Sequence, residues 1–308
     1  MKSLVFPGQG SQYVGMGKDL LDSFPEIKVT FDEVNDALDQ NLSRLMFDGP
    51  EDKLILTENA QPAIMSIGIA IIGILKSRGF VVDKISNISA GHSLGEYTSL
   101  TALSSLSLTD TAKLLRLRGR AMQNSFPNGE GAMAAILGLD IDEVIETIES
   151  SEIKNVCQVA NDNAPGQIVI SGEINAVNDI ISLLKDKGAK KAIKLPVSAP
   201  FHCELMQNAA LAMKNEIDSL LTDEQKERID RLQSDMKQKM NDAFQAERDA
   251  MVTALEMTAD QEASLAQINQ NHQEAVKALF AEIKNAGDRA DKSDFEDRMK
   301  ELSVTRNN

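Results

Sequence analysis

The sequence predicts an α/β protein with a small inserted subdomain and a helical C-terminal tail. Two short apolar runs, each followed at once by a glycine-containing turn, indicate strands that lead into tight turns. A regular alternation of strand and helix patterns between residues 132 and 195 indicates the inserted subdomain. An abrupt loss of proline and glycine after residue 221 marks the tail.

Composition narrows the class of protein. The 308 residues are 42% hydrophobic, which allows a sizeable buried core and argues against disorder. The net charge of −15 repels duplex nucleic acid and anionic membranes on average. The two cysteines, Cys157 and Cys203, are too few for a disulfide scaffold and lack metal-ligand spacing. We expect a soluble, cytoplasmic protein that binds no metal, nucleic acid or membrane.

Residues 1–130 are expected to form most of a large domain. A strand is predicted at 4–6, and the two glycines of the following turn, 7–12, let backbone N–H groups approach a ligand. An apolar helix near 60–77 is predicted to end at Gly79. Its apolar part, 63–75, is too short to cross a bilayer and predicts a buried helix. A second strand is predicted at 85–90. The apolar run that Pro7 interrupts does not resemble a secretory signal.

Residues 131–195 are predicted to form a ferredoxin-like subdomain. The expected elements are a strand at 132–137, a helix at 141–149, a strand at 156–160, a turn at 163–166, a strand at 167–171, a helix at 176–187 and a strand at 190–195. This β-α-β-β-α-β order is typical of ferredoxin-like folds. We expect the chain then to return to the large domain over 196–221.

Residues 222–308 are predicted to form a helical tail. Pro200 is the last proline of the chain, and Gly287 is the only glycine after residue 221. Two apolar stripes at helical spacing comprise Ile229, Leu232, Met236, Met240, Phe244, Met251 and Leu255, then Leu265, Ile268, Val276, Leu279 and Ile283. Capping-box patterns begin at Thr222, Thr258 and Ser293. They predict two long amphipathic helices and a short third, packed as a hairpin or against a partner.

Ser93 is the candidate nucleophile. The sequence GHSLG at 91–95 fits G-x-S-x-G, which places a serine on a sharp turn from a strand into a helix. The motif is short, and the alternative is a helix start at which Ser93 acts as a capping residue. A serine hydroxyl becomes a good nucleophile only with a base and with donors that stabilise the oxyanion.

The base must come from three histidines. His92 adjoins the serine, so the turn is expected to point its side chain away from the Ser93 hydroxyl. His272 lies on the apolar stripe of the tail and is expected to be a packed or half-exposed helix residue. His202, just after the last predicted strand of the subdomain, remains as the candidate base.

Five strings resemble one enzyme family. FPGQGSQYVGMG near the start, AGHSLGEYTSL, LRGRAM, NAPGQIVISG and PVSAPFHCELM follow one another in the order found in malonyl-CoA:acyl carrier protein transacylases. The resemblance covers residues 1–221. It implies an α/β-hydrolase-like large domain, residues 1–130 and 196–221, with the ferredoxin-like insert at 131–195.

The resemblance also implies roles for five residues. Ser93 matches the nucleophile and His202 the general base. The backbone N–H groups of Gln9 and Leu94 match the oxyanion hole, and Arg118 matches the arginine that holds the free carboxylate of the substrate. A guanidinium suits that task because its planar fork pairs with both carboxylate oxygens. The alternative for Arg118 is an ordinary arginine on a helix surface.

Four further positions match residues around the substrate. Met122 and Phe201 resemble the malonyl-selecting versions, in which bulk at these positions crowds out a methyl-branched acyl group. Asn161 and Gln167 match positions near the substrate. Cys203 is expected to pack beside the base.

The resemblance ends near Leu221. The family continues with further strands of the large domain, with a glutamine segment whose main-chain carbonyl orients the histidine, and with a late Gly-Pro-Gly turn, none of which we find in residues 222–308. The large domain is therefore expected to be incomplete. The tail weakly resembles periplasmic helical proteins with Leu-Thr-x-x-Gln repeats.

The implied function is transfer of a malonyl group from malonyl-CoA to the phosphopantetheine thiol of acyl carrier protein through a seryl ester, as in fatty acid biosynthesis. It implies no cofactor beyond the coenzyme A thioester substrate. Two alternatives stay open at this point. One is a serine hydrolase of acyl thioesters, and the other is a catalytically impaired chain whose helical tail is a binding or chaperone-like module.

Overall fold

A computed structural model of the chain describes residues 2–197 and 199–255, and single residues and short runs between 257 and 298. The chain divides into two compact units, Met1–Leu221 and Thr222–Asn308. The first unit is an α/β fold. Its elements are β1 (Ser3–Phe6), α1 (Lys18–Ser23), α2 (Lys28–Leu38), α3 (Leu42–Asp48), α4 (Glu51–Leu54), α5 (Thr57–Ser77), α6 (Val82–Ile85), β2 (Ile88–Gly91), α7 (Gly95–Ala102), α8 (Leu108–Asn124), β3 (Gly131–Leu137), α9 (Ile141–Glu149), β4 (Cys157–Ala164), β5 (Gln167–Glu173), α10 (Ile174–Asp186), β6 (Lys191–Lys194) and α11 (Gln207–Leu220).

Strands β1 and β2 form a two-stranded parallel sheet. Phe6 pairs with Gly91, so both strands end at the same edge. The glycine turn that follows β1 and the serine turn that follows β2 therefore lie side by side. The second strand differs from the prediction, since residues 82–85 form the single turn α6 and the strand begins only at Ile88.

Helices α5 and α8 form the centre of the helical body. The apolar helix predicted near 60–77 is the 21-residue α5, which ends before Gly79. By length and composition alone α5 could cross a membrane, but half of its most apolar window is buried within the protein. Fully buried side chains of this body include Leu42, Met65 and Leu115. The burial of apolar side chains such as these is the main favourable contribution to the free energy of folding.

Strands β3 to β6 form an antiparallel sheet in the order β4-β5-β3-β6, which is the strand order of ferredoxin-like sheets. Helices α9 and α10 cover one face with a cluster that includes Val144, Ile168 and Ile180. A capping box on Asp140 starts α9. The predicted turn at 163–166 is shorter than expected, because β4 continues to Ala164 and β5 begins at Gln167.

The second unit begins with α12 (Asp223–Ala254), which the predicted capping box of Thr222 and Gln225 starts. Thr258 and Gln261 make the hydrogen bonds of the second capping box. The seven apolar side chains of the first stripe are 38% to 70% exposed. In the second stripe Ile268 is exposed and Leu279 is buried. Leu265, His272, Ile283 and the Ser293 capping box lie outside the described residues.

Gly119 allows α8 to cross α5 closely. A Cβ added at this buried glycine would lie 2.5 Å from Cα of Glu58, a backbone atom that cannot rotate away. Gly73, within α5, has open space where its Cβ would be. The two glycines thus form a matched pair for testing the helix contact.

We expect Gly119→Ala to lower the free energy of unfolding by about 1–3 kcal/mol, because it overpacks the crossing. Gly73→Ala should raise it by about 0.5–1 kcal/mol through helix propensity. Urea unfolding followed by circular dichroism measures both. Equal effects of the two substitutions would show that the crossing is not tightly packed.

Candidate active site

The serine turn is built by close backbone contacts at its two glycines. A Cβ at Gly91 would lie 1.8 Å from the carbonyl carbon of Gly95, and a Cβ at Gly95 would lie 2.4 Å from the carbonyl oxygen of Phe6. Only glycine fits at either position. Ser93 between them has φ 55°, a left-handed conformation that is strained for serine. This is the geometry of a nucleophile elbow.

The hydroxyl of Ser93 meets the ring of His202. Ser93 Oγ lies 3.0 Å from His202 Nε2, across 109 residues of sequence. His202 lies in the segment after β6 and has φ 60°. Among the described residues, its other ring nitrogen, Nδ1, has no hydrogen-bond partner. Predicted nucleophile and predicted base are therefore within hydrogen-bonding distance, as proton transfer requires.

The environment of His202 favours its neutral form. Burial by surrounding protein atoms lowers the pKa of His202 below its ordinary value, although part of the residue is exposed. The charges of Arg118 and His92 lower this pKa further. A neutral imidazole is the form that accepts a proton from a serine, so the electrostatics suit a general base.

Arg118 on α8 reaches the same hydroxyl. Its Nη2 donates to Ser93 Oγ over 3.0 Å, and its Nη1 donates to Oε1 of Gln61 on α5 over 2.8 Å. The guanidinium carbon lies 5.7 Å from the ring centroid of Tyr97 on α7. No carboxylate of the described residues lies within ion-pair distance of Arg118. Although burial lowers its pKa, an arginine stays protonated, so the site holds a cation ready for an anionic ligand.

Met122 and Phe201 line one apolar cluster. Each is 6% exposed, and they share this cluster with Met133, Val169 and Met206. Gln61 Nε2 points at the sulfur of Met122 over 3.6 Å. The apolar cluster therefore adjoins the hydrogen-bonded pair of Gln61 and Arg118. The structure thus brings Met122 and Phe201, the two residues predicted to select the acyl group, to the site.

Gln9 and Leu94 lie on the two turns at the end of the parallel sheet. The Gln9 side chain donates to Thr57 Oγ1 over 3.4 Å, which ties the first turn to the start of α5, and Leu94 is fully buried. Within the described part of the chain, neither backbone N–H donates to an acceptor. The two N–H groups are free to receive an oxyanion, but their role stays a prediction.

The inserted sheet presents one face to the site. Asn161 on β4 pairs with Val169, and paired residues of antiparallel strands share a face, so Asn161 lies on the face that carries Val169 into the Phe201 cluster. Gln167 lies at the exposed start of β5. Neither side chain forms a hydrogen bond with Ser93, His202 or Arg118.

Three contacts of the site escaped sequence reasoning. Gln61 and Tyr97 hold Arg118, and Asn163 Oδ1 lies 3.1 Å from Nε2 of His92. Cys203 is half-buried and donates to the carbonyl of Pro200, in keeping with a packing role. The signal available in the sequence was Gln61 itself, a polar residue in a helix that is predicted to be buried. The structure shows Gln61 to be 1% exposed, and a buried polar side chain needs a partner.

Comparison with known proteins assigns the family. The model of the acyl transferase domain matches residues 3–287. A malonyl CoA-acyl carrier protein transacylase of Bacillus subtilis is 46% identical over 218 residues, which are 70% of this chain and 68% of that protein. The corresponding enzyme of Haemophilus influenzae is 43% identical over 208 residues, 68% of this chain and 66% of that protein. This chain thus spans about two thirds of the length of these relatives.

Solved structures agree in fold. The acyl-carrier-protein-S-malonyltransferase of Bartonella henselae superposes with a TM-score of 0.68 at 52% identity, covering 70% of this chain and 69% of that one. A malonyl-transacylase in complex with a type II PKS acyl-carrier protein gives a TM-score of 0.68 at 38% identity, over 70% of this chain and 69% of that chain. The exclusion of residues 222–308 from the family stays a prediction. The matched length and identity show that this chain belongs to the acyl transferase domain family, among its malonyl-CoA:acyl carrier protein transacylases.

Proposed function

We propose that this chain transfers a malonyl group from malonyl-CoA to the phosphopantetheine thiol of an acyl carrier protein. The observation that carries the proposal is the convergence of His202 Nε2 and Arg118 Nη2 on Ser93 Oγ, each at 3.0 Å. A base and a cation on one serine hydroxyl fit an acyl donor whose far end is a carboxylate. The names of the relatives supply the substrate and the carrier.

The first half-reaction forms a seryl ester. His202 Nε2 takes the proton of Ser93 Oγ as the oxygen attacks the thioester carbonyl carbon, and the carbonyl oxygen becomes an oxyanion facing the N–H groups of Gln9 and Leu94. When the intermediate collapses, the carbon–sulfur bond breaks and the imidazolium returns its proton to the leaving coenzyme A sulfur. Arg118 pairs with the malonyl carboxylate throughout.

The second half-reaction runs the same steps in reverse order. The carrier thiol loses its proton to His202 and attacks the ester carbonyl, and Ser93 leaves as an alkoxide that takes the proton back. The proton of the carrier thiol replaces the one that left on coenzyme A, so Ser93 and His202 return to their starting states and the chemistry needs no cofactor beyond the thioester. Met122 and Phe201 limit the space beside the acyl group. We place Asn161 and Gln167 at the edge of the space that holds the acyl group.

We also propose that the large domain is α/β-hydrolase-like and that the protein is cytoplasmic.

Ser93→Ala tests the nucleophile. Brief incubation of the parent chain with malonyl-CoA should add one malonyl mass, measured by intact-protein mass spectrometry. The variant should gain none, because it lacks the only atom assigned to carry the ester. A malonyl adduct that persists on Ser93→Ala would rule out this assignment.

Arg118→Ala tests recognition of the carboxylate. We expect kcat/KM for malonyl-CoA to fall about 10-fold to 10²-fold or more, since a hydrogen bond to a charged group contributes about 1.5–3 kcal/mol. With acetyl-CoA, which lacks the carboxylate, the loss should be smaller. Arg120→Ala is the matched control, because Arg120 lies on the same helix and pairs with Glu58. Equal losses for both donors would contradict a carboxylate-binding role.

The pH profile tests the base. Because the pKa of His202 is lowered from its ordinary value of 6.5, the neutral base should already predominate at pH 6.5. The rate of malonyl adduct formation, measured between about pH 5 and 8, should therefore fall only as the pH drops through the lowered value. A half-maximal rate above pH 6.5 would be inconsistent with a pKa of His202 that desolvation and the charge of Arg118 lower.

A further inference from the structure

Strand β4 contacts both chain segments that carry the catalytic pair. At one end of the strand, Asn163 Oδ1 lies 3.1 Å from Nε2 of His92, the residue before Ser93. Nearer its start, Gln158 Oε1 accepts the backbone N–H of Glu204 over 2.8 Å, and Gln158 Nε2 lies 3.4 Å from Glu204 Oε2. Glu204 lies two residues after His202. Strand β4 thus forms hydrogen bonds with the segment that carries Ser93 and with the segment that carries His202.

The segment that carries His202 needs a contact that holds its backbone in place. Within the described part of the chain, the only hydrogen bond of the His202 ring is the one to Ser93, so no acceptor on Nδ1 fixes its orientation. The ring direction depends instead on the backbone from 201 to 206. Buried Phe201 and Met206 hold that backbone from the inside. Gln158 holds it from the side of the inserted sheet.

The segment that carries Ser93 is held in a comparable way, through the contacts of His92. The ring of His92 fills the space between Asn163 and the first glycine turn, since a Cβ at Gly8 would lie 2.4 Å from His92 Nδ1. His92 therefore spaces the inserted sheet from the turn that carries Gln9. The partner of its Nε2 is Asn163 and not the Ser93 hydroxyl, whose partners are His202 and Arg118.

The shape of β4 allows it to reach both segments. In an unbroken strand, residues 158 and 161 would face opposite sides of the sheet. The register shift between Val159 and Asn161 adds one residue, so Gln158, opposite Ser171, and Asn161, opposite Val169, share the face toward the site. A second shift at Asn163 releases that residue from the ladder. Bulges of this kind redirect side chains beside active sites.

We propose that Gln158 and Asn163 are positioning residues that set the separation and orientation of Ser93 Oγ and His202 Nε2 from strand β4. The inference rests on the proposed function only in taking these two groups as nucleophile and base. Gln158 orients the base through the backbone of Glu204, and Asn163 fixes the nucleophile turn through His92. The inserted subdomain thereby sets the distance between Ser93 and His202.

The test compares Gln158→Ala and Asn163→Ala with Asp162→Ala, an exposed neighbour on the same strand. Two rates are measured on the full chain: labelling of Ser93 by a fluorophosphonate, which needs an activated serine but no malonyl group, and malonyl adduct formation. We expect both rates to fall about 10-fold to 10²-fold in the first two variants, since a shift of about 1 Å can cost 10². KM for malonyl-CoA and the Asp162→Ala rates should match the parent.

The pH profile separates positioning from mere structural support. When the 203–206 backbone is released, the His202 ring should become more solvated and move away from Arg118, so the midpoint of labelling should rise toward pH 6.5. Gln158→Met, which keeps the length but not the acceptor, should behave like Gln158→Ala. The thermal unfolding midpoint, measured alongside, should move little because Gln158 is only half-buried and its hydrogen bonds go to the exposed residue Glu204.

The outcomes for the two proposals are distinct. Parental labelling rates and an unshifted pH profile in Gln158→Ala and Gln158→Met would overturn the positioning role. If the parent accepts malonyl groups and these variants do so equally fast, the proposed function stands and the positioning role falls. If the parent is labelled but accepts no malonyl group, while the variants are labelled more slowly, the positioning role stands and the transferase proposal falls.

Discussion

The close approach of three backbone segments at the end of the parallel sheet determines the rest of the site. Helix α7 begins directly against β1, where Gly95 contacts the carbonyl of Phe6, and against the end of β2, where it contacts Gly91. The chain must reverse within three residues, which forces Ser93 into a left-handed conformation. Its hydroxyl then projects from the turn, where an arginine on α8 and a histidine after β6 both reach it.

Local pattern predicted most elements of the first unit. Helix α9 matches its predicted bounds, and β3, β5, α10 and β6 differ from theirs by a few residues, because the alternation of apolar residues reports burial directly. The errors occurred where tertiary contacts override local preference. Strand β4 continues past its predicted end because Asn161, Asp162 and Ala164 pair with β5, although turn-forming residues follow. The predicted strand at 85–90 starts late because residues 82–85 form a helical turn.

The candidate catalytic residues were predictable to a different degree from the residues that contact them. Ser93 and His202 follow from a motif and from the scarcity of histidine, since three histidines leave few choices. Gln61 and Gln158 lie outside the five strings that carry the resemblance, and Tyr97 and Asn163 lie inside them without an assigned role. Each acts through a contact with a residue distant in sequence. Gln61 and Arg118 are 57 residues apart, and Gln158 and Glu204 are 46 apart. Single-sequence periodicity contains no information at such separations.

Ser93 and His202 are 109 positions apart in the sequence, and this separation has a consequence for folding. The serine turn needs β1, β2 and α7, which all precede the inserted sheet, whereas His202 follows that sheet. The pair is therefore a contact of high order, which favours slow formation. A nascent chain that has emerged as far as β5 already contains the proposed nucleophile and lacks the proposed base. On the proposed assignment of Ser93 and His202, reactivity of the serine reports completion of folding, because a partly folded chain has no base beside the hydroxyl.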